Sequence, residues 1–400
     1  MMSKKANVYI DLFAGCGGLS LGLYNSGWHG LFAVEKNPDA FNTLKYNLID
    51  QKNHFDWPNW LPKKPLEINS VLKKYKNELL KMRGQVDLVA GGPPCQGFSI
   101  AGKRQEDDIR NRLIDSYIEF IATVKPKFVF FENVKGFTLQ FVKAKSSGRK
   151  YSEYVKGKLE ELGYRVYGKI LNFSEFGIPQ TRHRFILVGV KKEENIDPEK
   201  FFEKLFKKKK DFLKTKSLVA GITIAEAISD LERKNGEIIS PDSKSFKSGL
   251  YGKAKNQFQK LMRFKNYNMP PDSHRFANHT QVVEDRFSFI IRENLNSKQI
   301  QEKFHLKKLH TTKLDSSKPS PTLTTLPDDY VHYNEPRIMT VREYARIQTF
   351  PDWFQFKGRY TSGGKNRVIE VPRYTQIGNA IPPLFGEQVG LIFLQIEKDI

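Results

Sequence analysis

The chain has 400 residues, more than a single domain usually holds, which predicts two domains or one large and one small. Its 66 Lys and Arg against 44 Asp and Glu give a net charge of +22, which indicates a polyanionic partner, most simply nucleic acid. Two cysteines, Cys16 and Cys95, exclude a disulfide framework or a cysteine metal cluster, and no apolar run approaches a membrane span. With no signal-peptide pattern at the N-terminus, we expect a cytoplasmic protein with reduced thiols.

Short apolar runs alternate with amphipathic stretches between residues 7 and 190, which is typical of strands separated by helices. Helices are predicted over 19–27 and 110–124. Strands that are apolar throughout are buried on both faces, so we predict an α/β fold with a mostly parallel sheet covered by helices. The predicted strands are residues 7–15, 31–37, 86–92, 128–134, 164–172 and 184–190.

The character of the chain changes beyond residue 190. A charge-rich stretch is followed by predicted helices over 224–232, 340–350 and 383–398. Residues 241–270 hold seven Lys or Arg and one acid, Asp242. Aromatic residues interleave with these charges, at Phe246, Tyr251, Phe258, Phe264 and Tyr267.

A glycine turn joins the first predicted strand to the first helix in DLFAGCGGLSLGL. A dinucleotide fingerprint starting at Gly15 would need glycine at position 20, where Ser20 stands, so the pattern favours an adenosyl ligand without a pyrophosphate. Glu35 ends the next strand about 20 residues on, where an acid commonly binds ribose hydroxyls. The alternative is that the glycines only make a tight turn between strand and helix.

Cys95 follows the third predicted strand in GGPPCQGFS, at the edge where ligands bind in open α/β sheets. Pro93 and Pro94 cannot donate hydrogen bonds to a sheet, and they stiffen the turn. A stiff turn suits a nucleophile that must be aimed, whereas a buried structural cysteine is the common alternative.

Other candidate groups belong to the same edge. Glu132 follows the apolar run FVFF, so its carboxylate would lie near the cysteine. Arg182 and Arg184 stand two apart at the start of a predicted strand, where a period of two directs both to one face and toward a substrate carbonyl or phosphate. Surface carboxylates and solvated arginines are the alternatives for each residue alone. Together these groups predict a reactive site beside an adenosyl pocket.

These segments resemble the DNA (cytosine-5)-methyltransferase family, in particular the bacterial restriction-modification type. The resemblance extends from Asp11 to Pro383 and implies the Rossmann-like fold of S-adenosylmethionine-dependent methyltransferases, with a second, smaller target-recognition domain. Residues 1–190 plus 374–400 would form the catalytic domain and residues 191–373 the target-recognition domain. The matching motifs are DLFAGCGGLSLGL, GGPPCQGFS, ENV, QTRHR, RIMTVREYARIQTFPDWF and QIGNAIPP.

The resemblance also implies the ligands and roles. S-adenosyl-L-methionine would be the methyl donor and S-adenosyl-L-homocysteine the product, with no metal. Cys95 would be the nucleophile, Glu132 would contact the cytosine N3 and amino edge, and Arg182 and Arg184 would orient the base and the cysteine. The implied cofactor-binding residues are Asp11, Phe13, Gly15, Cys16, Gly17, Gly18, Leu19, Glu35, Lys36, Glu67, Ile68, Pro94, Leu113, Asn379 and Ala380.

The implied chemistry is a transfer to C5 of cytosine. Attack of the Cys95 thiolate on C6 makes an enamine whose C5 can accept the methyl group. A stacked base cannot be reached, so the cytosine must be flipped out of double-stranded DNA. Gln96 and Ser99 would lie in a loop that closes on DNA, and Lys253 and Lys255 would contact it. We expect a monomer, associated with the nucleoid rather than with a membrane, and a cognate restriction endonuclease acting on the same site.

Three alternatives stay open from the sequence. An RNA cytosine methyltransferase could use the same scaffold, although the tRNA-modifying branch carries a Cys-Phe-Thr motif and no cysteine follows Cys95 here. A catalytically silent DNA-binding regulator is the second. A small-molecule methyltransferase is the third, and it fits the glycine turn but neither the basic charge nor the long second region.

Overall fold

The chain folds into two compact units. The first comprises residues 1–173, 183–210 and 385–400, and the second residues 174–182 and 211–384. The predicted division into catalytic and target-recognition domains is a functional one and stays a prediction. Cys95, Gln96 and Ser99 lie outside the described residues. The structure, a computed structural model, describes residues 7–94, 112–139, 150–264, 270–306, 311–362 and 370–398.

A six-stranded sheet forms the centre of the first unit, with the order β2-β1-β3-β4-β6-β5. β1 is parallel to β2 and β3, and β3 is parallel to β4, whereas β6 runs antiparallel to both β4 and β5. The predicted mostly parallel sheet is thereby confirmed. The strands are β1 Val8–Leu12, β2 His29–Val34, β3 Leu88–Gly91, β4 Phe128–Val134, β5 Tyr164–Asn172 and β6 His183–Lys191.

The strand directions determine which residues meet at one edge of the sheet. The parallel strands β1 to β4 all end at this edge, so the segments that follow them are neighbours. Because β6 is antiparallel, it begins at the same edge, where Arg184 pairs in register with Val134. The start of β6 is therefore brought to the ends of the parallel strands.

Helices alternate with the strands of the first unit. Asn37 caps α2, since its side-chain oxygen accepts hydrogen bonds from the backbone of Asp39 and Ala40, and Pro38 occupies the first helical position. A π-helix, Lys45–Gln51, continues α2. The helices are α1 Gly18–Asn25, α2 Pro38–Leu44, α3 Ile68–Lys74, α4 Lys76–Lys81, α5 Arg112–Val124, α6 Tyr151–Glu161 and α7 Glu199–Thr215.

The last helix, α14 Pro383–Lys398, packs into the core of the first unit through its later residues. The ring of Phe393 lies 5.2 Å from that of Phe128, and Trp28 Nε1 donates to the Gly390 carbonyl at 3.0 Å. A Cβ at Gly390 would lie 2.0 Å from Ser26 Oγ, so glycine is required for this close approach. The predicted bounds of this helix, 383–398, are confirmed.

One helical stretch of the described residues, Arg373–Lys398, has the length and apolarity of a membrane span. Its apolar window is 78% buried within the protein, and core helices show the same combination. The stretch is therefore weak evidence for a membrane span.

The second unit contains a two-stranded antiparallel ribbon, β7 Glu237–Ile239 and β8 Lys247–Gly249, and a short parallel pair, β9 Thr312–Lys313 and β10 Tyr330–Val331. A small hydrophobic cluster of Phe287, Ile290, Ile300 and Val331 joins α10, α11 and β10. The remaining helices are α8 Ile224–Ile228, α9 Gln257–Arg263, α10 Gln281–Arg292, α11 Ser297–Phe304, α12 Val341–Ile347 and α13 Arg373–Asn379.

Buried ion pairs hold α12 within the second unit. Arg346 is fully buried, and it donates to Asp352 Oδ1 at 2.6 Å and to Asp230 Oδ1 at 3.1 Å. Thr340 and Glu343 form a capping box at the start of the helix. Since a buried charge without a partner is costly, this network specifies where α12 packs.

Candidate active site at the sheet edge

The glycine turn after β1 is built from left-handed backbone. Phe13, Gly15 and Gly17 have φ of 57°, 56° and 91°, and the first strand therefore ends at Leu12 rather than at the predicted Gly15. Ala14 N donates to the Val34 carbonyl at 3.1 Å, which ties the turn to the end of β2. A Cβ built on Gly15 would meet no described atom within 4 Å. The turn thus leaves open space beside its backbone.

Glu35 holds this turn from the neighbouring strand. Its Oε2 accepts from Gly15 N at 2.9 Å and its Oε1 from Asn37 N at 2.7 Å. Burial raises the pKa of the Glu35 carboxyl above its usual range. The acid that the sequence singled out therefore contacts the glycine turn directly.

Ser20 fills the place where a dinucleotide fingerprint would have glycine. Its hydroxyl donates to Asp11 Oδ2 at 2.5 Å, and both side chains are buried. Burial raises the pKa of Asp11 to about 7. The departure from the fingerprint has a structural reason, since Ser20 fastens the first turn of α1 to β1.

The protonation of Asp11 should make stability depend on pH. Because its pKa is about 7 in the folded chain against 3.8 ordinarily, its contribution to the free energy of unfolding is complete below pH 3.8. It is lost as the pH rises towards 7, by up to about 4 kcal/mol. We expect urea unfolding to show that Asp11→Asn becomes more stable relative to the wild type as the pH rises from about 5 to about 8. The exposed Asp56→Asn is the control, and a pH-independent difference for Asp11→Asn would contradict this assignment.

Other predicted cofactor residues either follow the turn in sequence or lie next to the end of β2. Gly18 and Leu19 lie buried in the first turn of α1, beside the buried Cys16, whose thiol pKa is raised by burial. Leu66 N donates to the Glu35 carbonyl at 2.8 Å, which brings the exposed Glu67 and buried Ile68 next to the end of β2.

Five further predicted cofactor residues lie elsewhere. Lys36 is exposed, Leu113 is buried near the start of α5, and Pro94 ends its described segment. Asn379 is exposed at the end of α13, in the second unit. The neighbouring Ala380 carbonyl accepts from Gln348 Nε2 at 3.0 Å. Their roles in cofactor binding stay predictions.

The turn that leads to Cys95 packs against the end of β4. A Cβ at Gly92 would lie 3.0 Å from Glu132 Oε2. Asn133 Nδ2 donates to the Pro93 carbonyl at 3.3 Å. No role for Asn133 was predicted, although a polar residue in an otherwise apolar strand is a signal for one. The carboxylate of Glu132 therefore lies beside Gly92, and its proximity to Cys95 stays a prediction.

Glu132 is paired with an arginine. Arg184 Nε lies 2.9 Å from Glu132 Oε1, and each side chain is 12% exposed. The antiparallel register of β4 and β6 creates this contact, because it sets Arg184 opposite Val134 and Ile186 opposite Glu132. The site thus holds a fixed carboxylate whose second oxygen faces Gly92.

Arg182 has a different environment from Arg184, and a shared face for the two side chains stays a prediction. β6 begins at His183, so Arg182 lies one residue before the strand. Arg182 belongs to the second unit, where it is 2% exposed and donates from Nη2 to the Gly378 carbonyl at 2.9 Å. A role for it in orienting the base stays a prediction.

Gly92→Ala should impair the site without unfolding the protein. Its Cβ would lie 3.0 Å from Glu132 Oε2 and 3.3 Å from the Glu132 carbonyl oxygen, so the carboxylate must shift by a few tenths of an ångström. We expect kcat to fall about tenfold, since catalytic geometry tolerates little displacement. Gly157→Ala, in α6 with no described atom within 4 Å of its Cβ, is the matched control and should keep full activity. Equal rates for the two variants would show that Glu132 does not act from this position.

The predicted DNA-facing stretch lies in the second unit. Lys253 and Lys255 are exposed, and Phe258 is buried. Tyr251 stacks on Arg263, at 4.2 Å from its guanidinium carbon, and donates to Asp352. Among the described aromatic residues of this stretch, Phe258 is therefore a core residue, Tyr251 contacts an arginine and Phe264 is exposed. Contact of the two lysines with DNA stays a prediction.

The sequence matches a known family over nearly its whole length. The profile of the family described as C-5 cytosine-specific DNA methylase matches residues 8–392. The type II methyltransferase M1.HphI of Haemophilus parahaemolyticus is 30% identical, with 98% of this chain and 87% of the relative covered. The type II methyltransferase M.XorII of Xanthomonas oryzae pv. oryzae is 29% identical, with 95% and 83% covered.

Solved structures share the fold. A candidate DNA modification methyltransferase encoded within an E. coli prophage superimposes with a TM-score of 0.66 at 24% identity, over 98% of this chain and 100% of that one. The Dnmt2 methyltransferase of S. pombe gives a TM-score of 0.54 at 16% identity, over 98% and 99%. At these identities the likeness concerns the fold alone.

Proposed function

This chain belongs to the C-5 cytosine-specific DNA methylases and is a DNA (cytosine-5)-methyltransferase, and from that premise we propose how it acts. It transfers the methyl group of S-adenosyl-L-methionine to C5 of a cytosine flipped out of a specific duplex sequence. The transfer proceeds through a covalent bond between Cys95 and C6. An RNA substrate is the alternative on the same scaffold.

The ion pair between Glu132 and Arg184 carries this proposal. Arg184 Nε holds one carboxylate oxygen at 2.9 Å, and the other lies beside Gly92, three residues before Cys95. A carboxylate held in this way can grip the N3 and amino edge of a base that is presented to the cysteine. The arginine keeps the carboxylate oriented, and the rigid Gly-Pro-Pro turn directs the chain that carries the nucleophile.

The residues around the glycine turn fit an adenosyl ligand. The open space at Gly15 admits a ligand close to the backbone, and Glu35 offers carboxylate oxygens with remaining lone pairs to ribose hydroxyls. When bound, S-adenosyl-L-methionine supplies an electrophilic methyl group. Phe13, Leu19 and Ile68 would line the apolar part of this pocket.

The chain's own groups perform the remaining steps. Cys95 adds to C6 as the thiolate, and a proton held between Glu132 and N3 neutralises the negative charge that arrives at N3. C5 thereby becomes nucleophilic. After methyl transfer, loss of the C5 proton and expulsion of the Cys95 thiolate restore the aromatic ring. Gln96 and Ser99 would close over the extruded base.

The charge of the chain supports duplex DNA as the partner. A net charge of +22 favours phosphate binding with a strong dependence on salt, and the exposed Lys253 and Lys255 would contribute. We propose a monomer that acts in the cytoplasm, and the type II methyltransferase names of its relatives support a cognate restriction endonuclease as its counterpart.

Bisulfite sequencing of DNA from cells that express the protein tests this function, because it reports both activity and target. Cytosines within one short sequence should resist conversion. In parallel, tritium transfer from labelled S-adenosyl-L-methionine should reach duplex DNA and not tRNA. Label that appears only in tRNA, or in neither nucleic acid, would overturn the proposal.

A further inference from the structure

The second unit contains a stack of aromatic rings and guanidinium groups. The Cζ of Arg275 lies 3.9 Å from the ring centre of Phe246 and 3.7 Å from that of Tyr360. At these distances the guanidinium must lie face-on to each ring, because an edge-on approach would put a nitrogen between Cζ and the ring. The two rings therefore cover opposite faces of Arg275.

Other groups hold Tyr360 in place. Its hydroxyl donates to Asp242 at 3.0 Å, and the Cζ of Arg373 lies 4.2 Å from its ring centre. Arg373 donates to Asp242 Oδ2 at 2.7 Å, to Ser273 Oγ at 2.9 Å and to the Gly358 carbonyl at 2.9 Å. Three of the five donors of Arg373 are thus used within the protein, and its role is to fix the ring.

Most N–H donors of Arg275 make no hydrogen bond to the described residues, so they are available to a ligand. Within the part of the chain that the structure describes, it donates one hydrogen bond, from Nη1 to Ser243 Oγ at 3.0 Å. A guanidinium has five N–H donors, all in its plane. Since both faces are covered and the side chain is only half-buried, a ligand would meet the free in-plane donors edge-on.

The surroundings of Arg275 indicate which ligand this is. Arg275 forms a β-bridge with Ser248 of β8, next to the two-stranded β7–β8 ribbon. A two-stranded ribbon fits the major groove of DNA. A phosphate contact needs only charge, which an exposed lysine such as Lys244 already provides. A planar fork with a fixed direction is instead what recognition of a guanine edge requires.

We propose that Arg275 reads a guanine of the target sequence, donating two hydrogen bonds to its O6 and N7 in the major groove. This inference rests on the proposed function, and it adds the residue that determines specificity and the base it selects. Phe246 and Tyr360 act as positioning residues that hold the guanidinium plane.

Duplexes with single 7-deazaguanine substitutions test the proposal, since this base keeps Watson–Crick pairing and lacks the N7 acceptor. Each guanine of the mapped target is replaced in turn. At one position the wild-type kcat/KM should fall about tenfold. Arg275→Ala and Arg275→Lys should methylate the normal duplex about tenfold less well and show no further loss with 7-deazaguanine at that position.

Arg233→Ala is the matched control. Arg233 also stacks on a ring, with its Cζ 4.9 Å from the centre of Phe276, but its guanidinium is paired with Glu237. This variant should keep the wild-type response to every substitution. Wild-type sensitivity retained in Arg275→Ala and Arg275→Lys, or a target without guanine, would overturn the proposal. If the wild type methylates no DNA, the proposed function itself fails and the assignment of Arg275 falls with it.

Discussion

Cys95→Ala is expected to abolish methyl transfer to DNA while leaving S-adenosyl-L-methionine binding largely intact. Cytosine C5 is a poor nucleophile until a thiolate adds to C6, and alanine offers no such group. Tritium transfer to duplex DNA measures the loss, and calorimetric titration with the methyl donor measures the binding. Apart from Pro94, the predicted cofactor residues lie on other segments, beginning with the glycine turn at Gly15 and with Glu35, so binding should survive.

A duplex that carries 5-fluorocytosine separates the nucleophile from a structural thiol. The wild type should form a covalent complex that survives denaturing electrophoresis, because fluorine at C5 cannot leave as a proton does. The variant should form none. Cys16 cannot supply the nucleophile instead, since it is 1% exposed and burial raises the pKa of its thiol. Gly157→Ala, in α6 with open space at its Cβ, is the control and should still form the complex. A complex formed by Cys95→Ala would refute the mechanism.

Local sequence could predict those parts of the site that lie at the ends of strands. Apolar runs predicted the strands, and the carboxyl ends of parallel strands meet at one edge, which brought Glu35 to the glycine turn and Glu132 to Gly92. These contacts follow from local pattern and one topological rule.

The pairing of Glu132 with Arg184 could not be predicted in the same way. It depends on the insertion of β6 between β4 and β5 and on its antiparallel direction. Local sequence patterns do not show the order or direction of strands in a sheet. The burial of Arg182 could not be predicted either, because its hydrogen bond to the Gly378 carbonyl joins residues far apart in the chain.

Tertiary contacts also explain residues for which sequence patterns predicted no role. The fingerprint rule registered Ser20 only as a missing glycine, whereas its hydrogen bond to Asp11 is visible only in the fold. Arg275 is held between Phe246 and Tyr360, which are far apart in the chain, and no local periodicity links them. The charge-rich second region was therefore recognised from composition, but its specific contacts were not.

Glu132→Gln should lower kcat by about 10²- to 10⁴-fold with little effect on DNA affinity. Glutamine matches the shape of glutamate, but it cannot carry the negative charge that stabilises a proton at cytosine N3. Its amide can also turn a nitrogen towards Arg184 Nε, where an oxygen now lies at 2.9 Å. Single-turnover methylation measures the step, with Glu160→Gln, on the exposed side of α6, as the matched control.

A double-mutant cycle shows whether Arg184 acts through Glu132 or by itself. If the arginine only orients the carboxylate, Arg184→Met should slow methylation in the wild-type background and have little further effect on Glu132→Gln. If it contacts the base independently, the two losses should multiply. The 2.9 Å pair at 12% exposure favours the first outcome, because a buried ion pair constrains both members to one geometry. Multiplicative losses would remove Arg184 from the role of positioning Glu132 and assign it a contact of its own with the base.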